Sequence, residues 1–202
     1  MYSSEAPMVN RNRVQTLFVE QLSNRSQKLE LHTLQYERSD GSSQVLEREI
    51  YTVDDGAAGL LCDLTRRMVV LVKQFRLPVY LRGESGWTLE APAGFLDCAS
   101  PEERVKLEIA EEAGYRVSDV KKVFEALMIP GSVTHVVHCF IAPYTPADRV
   151  NRGGGLVEEG EDIEVVELLI DDAVRMIATG EIVDGKTIML LLHAALCVFR
   201  GS

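Results

Sequence analysis

The sequence is short of basic residues. It contains 21 Lys and Arg against 31 Asp and Glu, which gives a formal net charge of −10 and an isoelectric point near 4.9. A surface that binds nucleic acid needs an excess of Lys and Arg to meet the phosphate backbone, so this balance argues against a nucleic-acid partner. An anionic substrate remains compatible with the charge if a divalent cation lies among the carboxylates, because the ion reverses the local field.

Long hydrophobic runs are also missing. The opening segment, MYSSEAPMVNRNR, has no apolar core of the kind that a secretory signal peptide needs. The longest apolar run near the C-terminus, residues 188–192, is followed by His193 and is too short to span a bilayer. We therefore expect a cytoplasmic protein with no membrane partner, whose C-terminal apolar segment is a buried helix.

The cysteines show no spacing typical of a metal site. Cys62, Cys98, Cys139 and Cys197 are far apart in the sequence, and no two of them form a CxxC pair. We expect buried, reduced thiols, in preference to disulfides or zinc ligands.

The remaining composition is typical of a soluble globular protein. Hydrophobic residues make up 46% and charged residues 26% of a 202-residue chain, which is long enough for one domain with a small extension. We predict an N-terminal region of β-strands over residues 1–55 and an α/β domain over residues 56–202. Two apolar runs at 57–63 and 68–74 show little alternation, which predicts strands buried on both faces of a mixed sheet.

The clearest helix signal begins at Ser100. This residue is a predicted N-cap, Pro101 suits the first helical position, and Glu103 completes a capping box. Gly114 is a predicted C-terminal stop. The other predicted elements are strands over 14–51 with a turn at 39–42, then strands at 87–91, 120–128, 133–142 and 163–169, and helices at 171–179 and 187–199.

The predicted helix carries three closely spaced carboxylates. Glu108, Glu111 and Glu112 stand at i, i+3 and i+4 and therefore share one helix face. Like charges at this spacing destabilise a helix unless a cation such as Mg²⁺, which prefers oxygen ligands, neutralises them. Three glutamates alone would favour a solvated acidic face, but the preceding turn at 91–94 can direct a backbone carbonyl towards them.

Residues 94–114, GFLDCASPEERVKLEIAEEAG, resemble the Nudix box, G-x5-E-x7-R-E-U-x-E-E-x-G-U, where U is a bulky aliphatic residue. The matching positions are Gly94, Glu108, Ile109, Glu111, Glu112 and Gly114. The loop after Gly94 is one residue short, Tyr115 takes the last aliphatic position, and Ser100 and Leu107 replace the first Glu and the Arg of the box. Since that Glu and Arg are thought to pair in the family, losing both together can be nearly neutral.

The resemblance extends along the chain to the GDP-mannose pyrophosphatase branch of the Nudix hydrolases. It covers nearly everything from about residue 45 onward, and the segments that carry it are 72–76, 93–97, 125–131, 153–155 with 161–164, and 179–182 with 184–187. It implies a Nudix α/β/α sandwich with a mixed sheet, preceded by antiparallel N-terminal strands. It also implies hydrolysis of a nucleoside diphosphate sugar to a nucleoside monophosphate and a sugar 1-phosphate, with Mg²⁺ as the cofactor and Mn²⁺ as an alternative.

The same resemblance assigns site residues by position. The implied metal ligands are the Ala93 carbonyl, Glu108, Glu112 and Glu161. The general base is Glu161, Glu159 or Glu111, and the implied substrate-binding residues are Arg48, Arg76, His135 and Lys186. His135 stands where this branch usually has an acidic residue near the ligand.

The resemblance also implies a homodimer formed through the N-terminal strands, with Arg48 close enough to the partner's site to contribute to it. Two other functions stay open at this point. One is a different substrate: ADP-ribose, ADP-glucose or a UDP-sugar. The other is a non-catalytic Nudix-fold nucleotide-binding module, which Ser100 and Leu107 favour and the retained glutamates oppose.

Overall fold

A computed structural model describes residues 13–200, except for the side chain of Glu159, and divides them into two compact units. The N-terminal unit consists of residues 13–53 together with Ile129–Thr134. The larger unit consists of Asp54–Met128 together with residues 135–200. Positions 1–12 of the predicted N-terminal region, and positions 201–202, lie outside the described residues.

The N-terminal unit is a three-stranded antiparallel sheet. Its strands are β1 (Val14–Asn24), β2 (Lys28–Glu37) and β3 (Ser43–Thr52), paired in the order β1-β2-β3. The predicted turn between β2 and β3 is confirmed: the Asp40 carboxylate accepts hydrogen bonds from the N–H and hydroxyl of Ser42 at 2.9 and 2.6 Å. No side chain among the described residues 13–53 is buried, so these strands have no core of their own.

The larger unit contains a mixed sheet, as predicted. Its main path runs β10-β5-β4-β9-β8, where β4 and β9 pair in parallel and the other neighbours are antiparallel; β6 pairs with β5 and β7 with β4. The strands are β4 (Gly56–Asp63), β5 (Met68–Phe75), β6 (Trp87–Glu90), β7 (Ala93–Phe95), β8 (Lys121–Leu127), β9 (Val136–Pro143) and β10 (Glu164–Leu169).

Helices cover both faces of this sheet. They are α1 (Leu77–Leu81), α2 (Pro101–Glu108), α3 (Ile170–Thr179) and α4 (Gly185–His193). Single π-helical turns, Ile109–Ala113 and Ala194–Val198, extend α2 and α4, so the predicted helical segments are confirmed with a different register at their ends. Among residues 13–200, no helix is both long and apolar enough to cross a bilayer.

The two faces of the central strands enter two separate cores. Leu60 of β4 and Leu71 of β5 belong to the core under α3 and α4, whereas Leu61 and Val70 belong to the core under α2. All four are fully buried, which explains why the sequence of these strands hardly alternates. The result is the predicted three-layer α/β/α arrangement.

The N-terminus of α2 is fixed by the predicted capping box. The Ser100 hydroxyl accepts a hydrogen bond from the Glu103 N–H, and the Glu103 side chain accepts one from the Ser100 N–H. The π-helical turn then ends at Gly114, which has a φ of 78°. These two ends determine where the glutamates between them lie.

Three sequence-based expectations need correction. Helix α1 was not predicted, because its five residues are too few to show a helical period. The strand predicted at 133–142 begins only at Val136, since Ile129–Thr134 instead bonds with the end of β3 through the Tyr51 and Ser132 backbones. All four thiols are free as expected, but only Cys62 and Cys139 are buried; Cys98 and Cys197 are exposed.

Replacing Ser100 with Ala should lower the free energy of unfolding by about 1 kcal/mol, because the first turn of α2 loses its side-chain acceptor. Urea denaturation followed by circular dichroism measures the change. Ser118→Ala is the control, since Ser118 is exposed outside any helix. An equal loss in both variants would show that the cap does not stabilise α2.

Candidate active site

Two carboxylates are buried at the junction between α2 and its π-helical turn. Glu108 is 4% exposed and Glu112 is 1% exposed, whereas Glu111 is only half-buried. Burial of charged groups is costly unless hydrogen bonds or counter-charges compensate. The groups that surround Glu108 and Glu112 therefore show how this cost is compensated.

The turn at β7 lies directly against both side chains. The Ala93 N–H donates a hydrogen bond to Glu112 Oε2 at 3.1 Å. A Cβ atom at Gly94 would overlap Glu108 Oε1, so only glycine lets the backbone approach this carboxylate. The shortened loop that follows reaches α2 through Asp97 and Cys98, which have φ values of 44° and 72°.

A glycine triplet holds the other side of the π-helical turn. The N–H groups of Gly154 and Gly155 donate to the carbonyls of Glu112 and Glu111 at 2.9 and 3.1 Å. All three glycines, 153–155, have positive φ, and a Cβ at Gly153 would overlap the Glu112 carbonyl oxygen. Glycine is therefore required in this triplet because its backbone lies in close contact with the backbone of the π-helical turn.

The same loop positions Glu161. The Leu156 N–H donates to Glu161 Oε2 at 2.8 Å, and a Cβ at Gly155 would overlap that oxygen. Glu161 is close enough to Glu108 and Glu112 to raise the pKa of each. Three of the four predicted metal ligands, Glu108, Glu112 and Glu161, thus lie within electrostatic range of one another, and the backbone of Ala93 contacts Glu112.

Burial dominates the electrostatics of the buried pair. It raises the pKa of Glu108 to about 7, although the charge of Arg104 works in the opposite direction. For Glu112, burial together with the neighbouring Glu108 raises the pKa to about 8. Without a cation, both groups therefore hold protons far more strongly than ordinary glutamates.

Arg104 is a residue that the sequence analysis missed. It forms an ion pair with Glu108 one helical turn later and lies 3.9 Å from Asp97. Leu107, which stands in place of the arginine of the box, is half exposed. The i, i+4 spacing of Arg104 and Glu108 was the available signal. Among the described residues, no three His, Cys, Asp or Glu side chains are arranged so that they could hold a metal ion.

Arg76 and Lys186 meet at a buried acid that was also missed. Both donate to Glu90 of β6, which is 3% exposed: Arg76 through Nε and Nη2 at 2.8 Å each, and Lys186 through Nζ at 2.6 Å. These residues line a cavity of about 390 Å³. Arg76 is near enough to Glu112 to lower its pKa, so the cluster around Glu90 lies within electrostatic range of this carboxyl group.

The remaining predicted site residues have contacts of their own. His135 Nδ1 lies 2.5 Å from the Asp54 carbonyl oxygen, and its ring packs edge-on against Phe95 at 5.7 Å. Arg48 belongs to β3 of the N-terminal unit, where its Nη1 donates to the Glu47 carbonyl. The Glu159 side chain lies outside the described part of the chain.

The raised pKa of Glu112 gives a pH-dependent stability. A carboxyl whose folded-state pKa lies above its usual 4.5 stabilises the fold below pH 4.5, and that contribution is lost as the pH rises towards about 8. In EDTA, Glu112→Gln should therefore raise the Tm relative to the unmodified protein by at least roughly 3 °C at pH 8, and by much less at pH 5.

Differential scanning calorimetry at the two pH values measures this difference. Glu102→Gln serves as the control, since Glu102 is an exposed residue of the same helix. A Tm difference for Glu112→Gln that does not change with pH would contradict the assignment of a raised pKa.

Comparison with known proteins adds independent information. No protein-family profile matches the chain. The GDP-mannose pyrophosphatase of Escherichia coli O1:K1 / APEC is 46% identical over 164 residues, which cover 80% of this chain and 85% of that protein. The GDP-mannose pyrophosphatase of Pectobacterium atrosepticum is 47% identical over 174 residues, which cover 86% of this chain and 88% of that protein.

Among solved structures, the crystal structure of an ADP compounds hydrolase matches with a TM-score of 0.68, covering 91% of this chain and 93% of that one. Its sequence is 18% identical, so this match concerns the fold alone. The chain belongs to the GDP-mannose pyrophosphatase branch of the Nudix hydrolases.

Proposed function

We propose that this chain hydrolyses the diphosphate bond of GDP-mannose and releases GMP and mannose 1-phosphate. The observation that carries the proposal is the buried pair Glu108 and Glu112, held against the β7 turn within electrostatic range of Arg76. Two relatives with more than 45% identity bear the name of this activity, which supports the choice of substrate.

The proposed cofactor is Mg²⁺, with Mn²⁺ as the alternative, and the residues present fit such an ion. The Ala93 carbonyl and the carboxylates of Glu108, Glu112 and Glu161 would hold it, and all of these are the oxygen donors that Mg²⁺ takes. Burial and mutual repulsion raise the pKa of Glu108 and Glu112, and a cation would remove that penalty. When bound, the ion supplies charge neutralisation on the diphosphate and a more acidic water.

The chain itself supplies phosphate binding and proton transfer. Arg76 and Lys186 present cationic donors to the phosphate oxygens, and Arg can bind such oxygens in a bidentate manner. A carboxylate must accept the proton of the attacking water. Glu111 and Glu161 both lie close enough to Glu108 to affect its pKa, and they are the described candidates, with Glu159 as the third.

Glu112→Gln should reduce kcat for GDP-mannose by two to four orders of magnitude, roughly the loss expected when one electrostatic stabiliser is removed. The substitution keeps side-chain size and an acceptor for the Ala93 N–H, so the fold should persist. Phosphate release in Mg²⁺ with a coupled phosphatase measures turnover. Glu102→Gln is the matched control, and near-normal turnover in Glu112→Gln would rule out the metal-binding role.

The same assay separates substrates and function classes. We expect GDP-mannose to have a higher kcat/KM than ADP-ribose, ADP-glucose or UDP-glucose. A preference for one of the other three substrates would leave the proposed diphosphate hydrolysis in place and would change only the nucleotide sugar that the enzyme prefers. Tight binding of a nucleotide sugar with no phosphate release would instead identify a non-catalytic binding module.

We also propose that the protein forms a homodimer through its N-terminal unit. Strand β1 is at the edge of its sheet and exposes several large apolar side chains: Val14, Leu17, Phe18, Val19 and Leu22. An exposed apolar edge strand in a sheet without a buried core is unstable in water. Pairing the two copies about a two-fold axis would cover both edges at once.

Light scattering at low micromolar concentration should therefore give the mass of a dimer. Phe18→Asp should shift the population towards monomer, because Phe18 is 61% exposed and a charge there cannot be buried without cost. Gln21→Asp places the same charge on an exposed polar position of β1 and is the control. A monomeric unmodified protein, or a Phe18→Asp variant that stays fully dimeric, would contradict the proposed interface.

A further inference from the structure

Glu90 is a buried carboxylate whose hydrogen-bonding capacity is fully used. Oε1 accepts from Arg76 Nε at 2.8 Å and from the Thr88 hydroxyl at 2.6 Å. Oε2 accepts from Arg76 Nη2 at 2.8 Å and from Lys186 Nζ at 2.6 Å. A carboxylate has about four acceptor sites, so Glu90 has none left for a ligand. Its role must therefore be exerted through the groups that it holds.

The hydrogen bonds from Arg76 to Glu90 leave one edge of the guanidinium group unbonded. Arg has five N–H donors, and Glu90 takes the Nε–H and one N–H of Nη2. Both N–H groups of Nη1 and the second one of Nη2 have no partner among the described residues. The Arg76 side chain is 41% exposed and lines the cavity, so this open edge has the geometry of a bidentate donor to a phosphate.

Lys186 is held from two sides. Its Nζ atom lies 2.6 Å from Glu90 and 3.1 Å from Asp184 Oδ2, which leaves one of its three N–H donors for a ligand. Burial by itself would lower the pKa of Lys186, but the charges of Glu90 and Asp184 outweigh it and raise the pKa. Lys186 is therefore a fixed cation at the cavity wall.

The elements that carry these groups are tied together. Asp184 caps α4 by accepting from the Thr187 N–H at 3.0 Å and from the Thr187 hydroxyl at 2.6 Å. The Thr187 oxygen in turn accepts from the Ala91 N–H at 2.7 Å, at the residue that follows Glu90. The strand that bears Glu90 and the helix that bears Lys186 are thus linked independently of the ion pairs.

We infer that Glu90 is a positioning residue: it fixes the Arg76 guanidinium and the Lys186 ammonium so that their free N–H donors face the cavity as a preformed site for the phosphate oxygens of the substrate. This inference rests on the proposed function and specifies how that site binds its substrate. A buried ion pair by itself adds little net stability, so stabilisation of the fold alone does not account for a carboxylate saturated by two cations. Fixing both cations before the substrate arrives reduces the ordering cost of binding.

A mutant cycle tests this inference. Glu90→Gln keeps the size of the side chain but replaces one acceptor oxygen with an NH₂ group that faces cationic donors. We expect KM for GDP-mannose to rise roughly ten- to hundredfold, the effect of losing charge-assisted hydrogen bonds, with kcat changed much less. In a background that carries both Arg76→Ala and Lys186→Ala, the same substitution should change KM by less than about threefold, because Glu90 then has neither cation left to position.

A milder variant covers the case in which Glu90→Gln does not fold. Thr88→Val is similar in shape and removes the hydroxyl that donates to Glu90 Oε1 at 2.6 Å and, over a longer distance of 3.4 Å, to the Gln74 carbonyl. It should raise KM by a smaller factor, and this effect should also disappear in the background that carries Arg76→Ala and Lys186→Ala. Glu167→Gln is the matched control: Glu167 holds Arg66 by two hydrogen bonds of 2.9 Å and accepts one from Tyr144, but its variant should leave KM unchanged.

The outcomes separate this inference from the proposed function. The unmodified protein is first assayed for turnover of GDP-mannose, and its Kd for GDP-mannose is measured by calorimetry in EDTA. If it neither turns over nor binds GDP-mannose, the proposed function fails. If it does both, two results would contradict the positioning role. One is that Glu90→Gln and Thr88→Val change KM by the same factor whether or not Arg76 and Lys186 are present. The other is that the control, Glu167→Gln, raises KM as much as they do.

Discussion

The burial of two carboxylates one helical turn apart is the constraint on which the larger unit depends. Glu108 and Glu112 are removed from water, and burial disfavours the ionised form of both carboxyl groups. Two neighbouring elements offset this cost: the Ala93 amide of β7 donates to Glu112, and the Arg104 guanidinium of α2 pairs with Glu108. The fold is therefore organised around a local excess of negative charge.

Next to this anionic pair lies a region of opposite character. Glu90 places an arginine and a lysine side by side in a chain whose net charge is −10. Adjacent sites of opposite sign suit a diphosphate together with a divalent cation: the oxygens of the diphosphate need cationic donors, and a cation that would neutralise them needs carboxylate ligands. The overall acidity and an anionic substrate are thus compatible, because the relevant field is set within the cavity.

Much of this arrangement was predictable because its signals are local. The capping box at Ser100, the spacing of Glu108 and Glu112, and the flanking glycines all lie within a short segment, and the structure shows them as expected. Glu90 could not be found in this way, since its partners lie 14 and 96 residues away along the chain. The π-helical register after Glu108 also has no sequence signal, because it arises from the hydrogen bonds that the glycine loop donates to that turn.

The parallel pairing of β4 with β9 has a consequence for biosynthesis. These strands are neighbours in the middle of the sheet, yet residues 64–135 separate them and include β7 and the whole of α2. Sheet closure therefore requires a long-range contact, which slows folding compared with local hairpins. The glycine loop, Glu161 and Lys186 follow β9 in the chain, so a nascent polypeptide that has emerged only as far as β9 contains the acidic helix without the groups that complete its surroundings. The contacts that surround Glu90, Glu108 and Glu112 are thus completed only after the segment that carries Lys186 has left the ribosome.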